Sequence, residues 1–285
     1  MRELTARVDH ASKLDPRDAG IADQIGVTYQ ALRLWKDAER ADLRALAIDP
    51  HDVLAAAYLL TTRLNATGDV DSARRALDGF PEATKSLTLS FLSGNNDIGE
   101  IIDIWVYLDV IQRRFTVAFQ EFEKVGVKND DHPQLWRLAG RVILRVLAGQ
   151  TEAAKSAAEE ARPLLEARLS QRPDDTVAMT ELSWVYLALG RNSDALRLSR
   201  QAADSMPIEK DAVEGPGFQH GLAQIEARAG APEEAIKRLR RLLSIPAGQV
   251  VSIALLKIDP VWDPIRNRPD FQQLLSGPEQ IGPNK

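Results

Sequence analysis

The chain contains no cysteine among its 285 residues. That excludes disulfides, thiolate chemistry and cysteine-ligated zinc together. Histidine is almost as scarce: His10, His51, His132 and His220 are all there is, and no two have the spacing of metal ligands on one helical turn. Neither a metal nor a cofactor is expected. The longest apolar stretch, VLAAAYLL at 53–60, falls well short of the ~20 residues that span a bilayer. The opening MRELTARVDHASKLD lacks the apolar core of a signal peptide. Without a secretory signal, the sequon Asn65-Ala66-Thr67 is expected to be a loop. A basic block is missing too, and the net charge is −5. Binding to nucleic acid through phosphates is therefore not expected. These absences predict a cytoplasmic protein without membrane insertion.

What is present favours helices. Hydrophobic residues make up 44% and aromatic ones only 6%, with Ala, Leu and Arg abundant. Between Asp174 and Pro207, Leu182, Val185, Tyr186 and Leu189 recur at helical spacing. Gly190 can enter the left-handed conformation that stops a helix, and Asn192 or Ser193 can cap the next one. Ala195 is small enough for that second helix to approach the first, and Pro207 closes the unit. With Thr176 numbered as first, Leu182, Tyr186, Gly190, Ala195, Ala202 and Pro207 fall at places 7, 11, 15, 20, 27 and 32. This pattern resembles a tetratricopeptide repeat, a helix–turn–helix unit about 34 residues long.

The period recurs. Pro16 and Pro50 are 34 residues apart, as are Pro173 and Pro207. Between the first pair, Ile25, Gly26, Tyr29, Trp35, Ala38 and Ala45 keep register. Residues 1–16 read as the second helix of a repeat without its first. Val53–Asn65 and 68–77 form a further pair, after which the pattern loosens over 79–98. It returns with Ala118 and Phe122, expected to pack on Ile102, Trp105 and Val106. Pro133 opens another first helix that ends near Gly149, with Thr151 capping a long second helix to about Gln171. Gly215-Pro216-Gly217 with Gly221 spaces its glycines wrongly for a phosphate loop and reads as a turn. Gly230, Pro232 and Ala235 mark the last repeat. The predicted fold is all-α: a right-handed α-solenoid of such repeats over 17–249, with a non-repeat C-terminal cap and tail over 250–285. In that cap, Trp262 and Phe271 are expected to be buried against the helices of 218–245.

Three stretches carry a more specific resemblance: PIEKDAVEGPGF (207–218), GAPEEAIKRLRRLLSIPAG (230–248) and LLKIDPVWDPIRNRPDFQQLL (255–275). From about Glu152 to Leu275 the chain resembles the C-terminal helical-repeat region of a large bacterial signalling group. That group attaches such regions to serine/threonine kinases, winged-helix transcription regulators and class III adenylate cyclases. The resemblance implies a bacterial regulatory or interaction module and carries over no catalytic residue.

No nucleophile–base set emerges from the sequence, so an enzyme is not expected. The remaining candidate is a groove. In tetratricopeptide arrays, places two, five, nine, twelve and thirteen of the first helices line a concave surface. Here that places Asp23, Asp103, Tyr107, Thr180, Trp184, His220, Gln224 and Arg228 on the concave side, with Glu181 beside them. The expectation is a non-enzymatic scaffold that binds a protein or peptide segment there. Asp23, Asp103 and Glu181 make a basic partner the favoured one, with Tyr107 and Trp184 as apolar anchors. The alternative is the regulatory C-terminal part of a bacterial signalling enzyme or transcription regulator whose output domain lies upstream.

Overall fold

The computed structural model describes residues 15–80, 104–124 and 133–277, together with His10 and Ile281. The half-repeat expected over 1–16, the irregular segment at 79–98 and the contacts expected of Ile102 and Trp105 lie wholly or largely outside the described residues. Every regular element among the described residues is helical. Clustering of contacts divides them into two compact units.

The first unit comprises residues 15–80 with Leu243–Lys257. Its helices are α1 (Ala19–Ala31), α2 (Trp35–Ile48), α3 (Val53–Thr67) and α4 (Val70–Asp78). Asp18, Asp52 and Asp69 start α1, α3 and α4 by accepting backbone N–H groups left free at each helix end. Each helix packs on the next, and α1 also touches α3. This is the order of stacked hairpins. The sequon at Asn65–Thr67, expected in a loop, instead completes α3; Asn65 is buried and donates to the Thr61 carbonyl at 3.0 Å.

The corner between α1 and α2 uses arginine where a glycine is usual. Arg33 has φ +56°, a conformation that a residue with a Cβ resists by about 1 kcal/mol or more. Its fully buried guanidinium donates to the Ile245 carbonyl at 2.9 Å and the Val251 carbonyl at 3.3 Å. Gly248 donates its N–H to the Ala31 carbonyl at 3.1 Å, and a Cβ there would overlap the Gln30 carbonyl. Residues 243–257 thus close over the α1–α2 corner.

The second unit comprises residues 104–124 and 133–242 with Ile258–Gly277. It contains α5 (Ile104–Ile111), α6 (Phe115–Lys124), α7 (Pro133–Leu147), α8 (Thr151–Gln171), α9 (Thr176–Ala188), α10 (Asn192–Ser205), α11 (Gly215–Arg228) and α12 (Pro232–Leu243, through Leu242). The short α13 (Ile253–Ile258) precedes a 3-10 turn (Pro260–Trp262), and α14 (Pro269–Ser276) is the last described helix. Successive helices from α5 to α11 pack on one another, and α7–α9 and α9–α11 also touch. Arg238 on α12 grips Glu226 on α11 through Nε and Nη2, at 3.0 and 2.9 Å. These contacts are compatible with an α-solenoid. Gly190 ends its hairpin at φ +73°, and Gly149 and Gly230 do so likewise.

Two caps differ from the sequence reading. Neither Thr151 nor Asn192 or Ser193 caps a helix; Gln150 and Arg191 occupy those positions without a side-chain bond. Gly149 and Gly190 make tight corners just before these positions, and backbone bonds such as Arg191 N–H to the Tyr186 carbonyl at 2.8 Å serve instead.

The core of this unit is close-packed around Phe122, which is fully buried and lies 5.0 Å from the Trp136 ring. A Cβ on Gly140 would meet the Phe122 ring edge at 2.2 Å. Gly140→Ala should therefore destabilise the second unit by about 1–3 kcal/mol, despite alanine's better helix propensity. Denaturant unfolding of the two proteins checks this; an equal or higher midpoint would mean that Phe122 can move aside.

Candidate functional site

α11 begins with Gly215-Pro216-Gly217, the stretch that reads as a turn in sequence. The glycine is needed for close approach, since a Cβ on Gly215 would lie 2.8 Å from the Ile208 backbone. Pro216 costs nothing in the first helical turn, where its missing N–H would have no partner. Starting here, the helix carries His220, Gln224 and Arg228 at four-residue intervals, on one face.

That face holds a turn of the chain itself. Asp259 accepts the Val261 N–H at 2.8 Å and so starts the 3-10 turn. The Tyr107 hydroxyl donates to the other carboxylate oxygen of Asp259. Arg228 donates from Nη2 to the Pro260 carbonyl at 3.0 Å and from Nε to the Val261 carbonyl at 3.1 Å. Arg113 grips Asp263 through both carboxylate oxygens, at 2.8 and 3.1 Å. The Trp262 ring lies 5.5 Å from that of His220 and 6.3 Å from that of Phe271, and Trp262 is only 1% exposed. Burial pushes the Arg228 guanidinium down to about 10, while Asp259 and Asp263 favour its charge. It remains a cation at neutral pH.

The residues expected to line an open groove are placed differently. Tyr107, His220 and Arg228 converge on residues 259–262, and Gln224 sits beside His220 with Nε2 3.4 Å from Nδ1. Trp184 and Glu181 on α9 are buried, as are Tyr107, His220 and Gln224, and Arg228 is half-buried. Asp103 lies outside the described residues. In the second unit the face is closed because the chain's own Asp259–Trp262 occupies it. The sign of the contacts also differs from the expected one: the groups that meet the occupant are Arg113, Arg228 and a tyrosine hydroxyl, all donors.

Arg113 is absent from the sequence-based set. It stands at φ +56° in the α5–α6 corner, the same conformation as Arg33 in the α1–α2 corner. A signal for both is present in the sequence. In the repeat frame Gly190 takes place fifteen, and in the Pro16–Pro50 repeat that place falls on Arg33. An arginine in a glycine's place at a helical corner marks a side chain held there for its contacts.

Asp23 belongs to the first unit, where it is buried on α1. Burial raises its carboxyl to about 8, helped by the charge and hydrogen bond of Asp52 and by Asp42. Asp42 on α2 is completely buried. It accepts from Thr62 Oγ1 at 2.8 Å, and Thr62 in turn accepts from Gln30 Nε2 at 2.6 Å. The second Asp42 oxygen sits against Gly26, where any Cβ would collide with it. Burial raises Asp42 to about 7, with the Thr62 and Gln30 donors opposing the rise. No group of three His, Asp or Glu side chains among the described residues is arranged to hold a metal ion.

No described helix is long and apolar enough to cross a membrane. Compared with known proteins, the chain matches no family model and no curated sequence.

Proposed function

We propose that the chain is a non-enzymatic helical-repeat scaffold, of tetratricopeptide type, that binds a segment of a partner protein. The observation that carries this reading is the way α5 and α11 hold residues 259–262. Arg228 reads two consecutive main-chain carbonyls of a single 3-10 turn, Tyr107 takes its carboxylate, and an apolar side chain enters between. Main-chain contacts supply affinity and a side-chain pocket supplies specificity, the division of labour of peptide-recognition surfaces. The donors on this face favour an acidic segment over the basic one expected from sequence.

The test is a selection from a displayed peptide library against the full chain carrying Asp259→Asn and Asp263→Asn, which weaken the hold of Tyr107 and Arg113 on the turn that fills the face. The expected result is one shared motif whose binding falls at least tenfold in Arg228→Ala. The exposed Arg197→Glu on α10 should leave it unchanged. If no motif is enriched, or if Arg197→Glu abolishes binding while Arg228→Ala does not, the inner face is not a binding surface.

A second reading is favoured by the ending LLKIDPVWDPIRNRPDFQQLL, whose residues supply the clamped turn. In that reading the chain is the regulatory C-terminal region of a bacterial signalling enzyme or transcription regulator. An in-frame kinase, cyclase or winged-helix domain encoded just upstream would establish it; intergenic sequence there would remove it.

A further inference from the structure

We infer that the turn Asp259–Asp263 is an intramolecular ligand, and that the site beneath it on the second unit takes an Asp-Pro-apolar-Trp turn from a partner protein. This inference rests on the proposed segment-binding function and adds to it the chemistry of the segment and the means of its control.

Four features of the contact are those of recognition. The carbonyls of Pro260 and Val261 bond to a side chain, Arg228, at 3.0 and 3.1 Å. A guanidinium can serve any chain that presents two carbonyls in this geometry. The two acidic groups of the turn each meet a donor from outside it, Tyr107 for Asp259 and Arg113 Nη2 for Asp263, which Arg266 of the segment itself also holds at 2.8 Å. Pro260 and Pro264 follow those acids directly. Proline restricts the unbound segment, so that little further freedom is lost when it docks. Finally, Trp262 is held between His220 and Phe271 and is almost fully enclosed, as an aromatic anchor in an interface is.

The corner geometry supports the same conclusion. Arg113 is held at φ +56°, where glycine would be unstrained and where Gly149, Gly190 and Gly230 stand at corners of the same unit. Its bonds go to the Ile111 and Ile258 carbonyls and to Asp263. Both members of the Arg113–Asp263 pair are nearly half exposed, with side chains 47% and 43% accessible. This is the accessible edge of the turn, from which a competing segment would begin to replace it. A tethered ligand acts at an effective concentration of about millimolar. A free segment of equal intrinsic affinity is therefore excluded until the tethered one is weakened, so the turn regulates the site it fills.

The experiment uses a fluorescein-labelled peptide of residues 256–268 and fluorescence anisotropy, with the full chain and with Asp259→Asn/Asp263→Asn. The substituted chain should bind the peptide at least tenfold more tightly than the parent. Adding Arg228→Ala to it should abolish the gain, as should a peptide in which both aspartates are asparagine. Circular dichroism and light scattering establish that the substituted chain is folded and monomeric. If it is not folded, Asp263→Asn alone is used, since that carboxylate is half exposed. Equal binding by parent and substituted chain would overturn the inference, as would a peptide-independent dimer that exchanges its C-terminal segments. A library motif that lacks Asp-Pro, bound while the 256–268 peptide is not, would leave the scaffold reading standing and sink this one.

Discussion

Trp262→Ala is expected to lower the stability of the second unit by about 3–5 kcal/mol, the range for truncating a buried large aromatic. Trp262 is 1% exposed and Phe271 is fully buried, with Val261, Ile265 and Leu275 buried around them. Removing the indole takes away its own burial and leaves a cavity against His220 and Phe271. The surroundings cannot collapse easily, because Pro260 and Pro264 restrict the backbone on both sides. Stacked helical units are held by contacts with their neighbours, so the loss should fall mainly on α11, α12 and α14. Hydrogen exchange with mass spectrometry locates it, and denaturant unfolding measures it. A change below ~0.5 kcal/mol, as at ordinary surface sites, would mean that the C-terminal segment is a loose extension rather than part of the core.

Most of the helical order was legible in the sequence, for local reasons. The hairpin glycines and the prolines that open α7 and α12 act within one turn of themselves and were read as such, whereas the aspartate caps at 18, 52, 69 and 175 came only from the structure. Trp262 and Phe271 were legible as anchors because they are the two aromatic side chains of a proline-rich tail. The path of that tail was not legible. Residues 258–277 join the second unit, where 260–262 meet α11 of the last repeat, but residues 243–257 close over the corner of α1 and α2, which the expected cap did not include. Which apolar face a tail covers depends on where distant helices stand, and no local pattern encodes that.

The same cause displaced the candidate site. Concave positions counted from the repeat were expected to be open, but Tyr107, His220 and Gln224 are enclosed once the tail arrives. Glu181 and Trp184 on α9 are enclosed as well. Sequence could have flagged one part of this. Arg33 and Arg113 stand in the left-handed conformation that glycine adopts at Gly68, Gly149, Gly190 and Gly230. Both arginines send their guanidinium to the C-terminal segment, Arg33 within the first unit and Arg113 within the second. A strained corner is retained because the side chain at that corner has a contact to make.

Raising the pH from 5 to 8 is expected to destabilise the first unit by several kcal/mol, and Asp42→Asn is expected to remove part of that loss. The burial of Asp23 and Asp42 raises both carboxyls, to about 8 and about 7 from an ordinary 3.8. A raised carboxyl leaves stability intact below the unfolded value and removes it as pH climbs through the folded one. The window therefore runs from about pH 4 to about pH 8, the reverse of the usual acid lability of paired carboxylates. The charged groups that act on the pair are Glu39 on α2 for Asp42, and Asp52 at the start of α3 together with Asp42 for Asp23. Of these, Glu39 is paired with Arg63 at 2.9 Å and only adds to the rise at Asp42. Among the described residues no cation offsets the burial of either carboxyl, so ionisation is uncompensated. Asparagine at 42 keeps the acceptor for Thr62 and never ionises. At one pH unit per ~1.4 kcal/mol, Asp42→Asn should stabilise the protein by roughly 2–4 kcal/mol at pH 8 and by less at pH 5. Urea unfolding of parent and variant at pH 5, 6, 7 and 8 makes the measurement. If the two curves stay parallel across that range, Asp42 is ionised in the folded protein and the buried seam has some other charge balance.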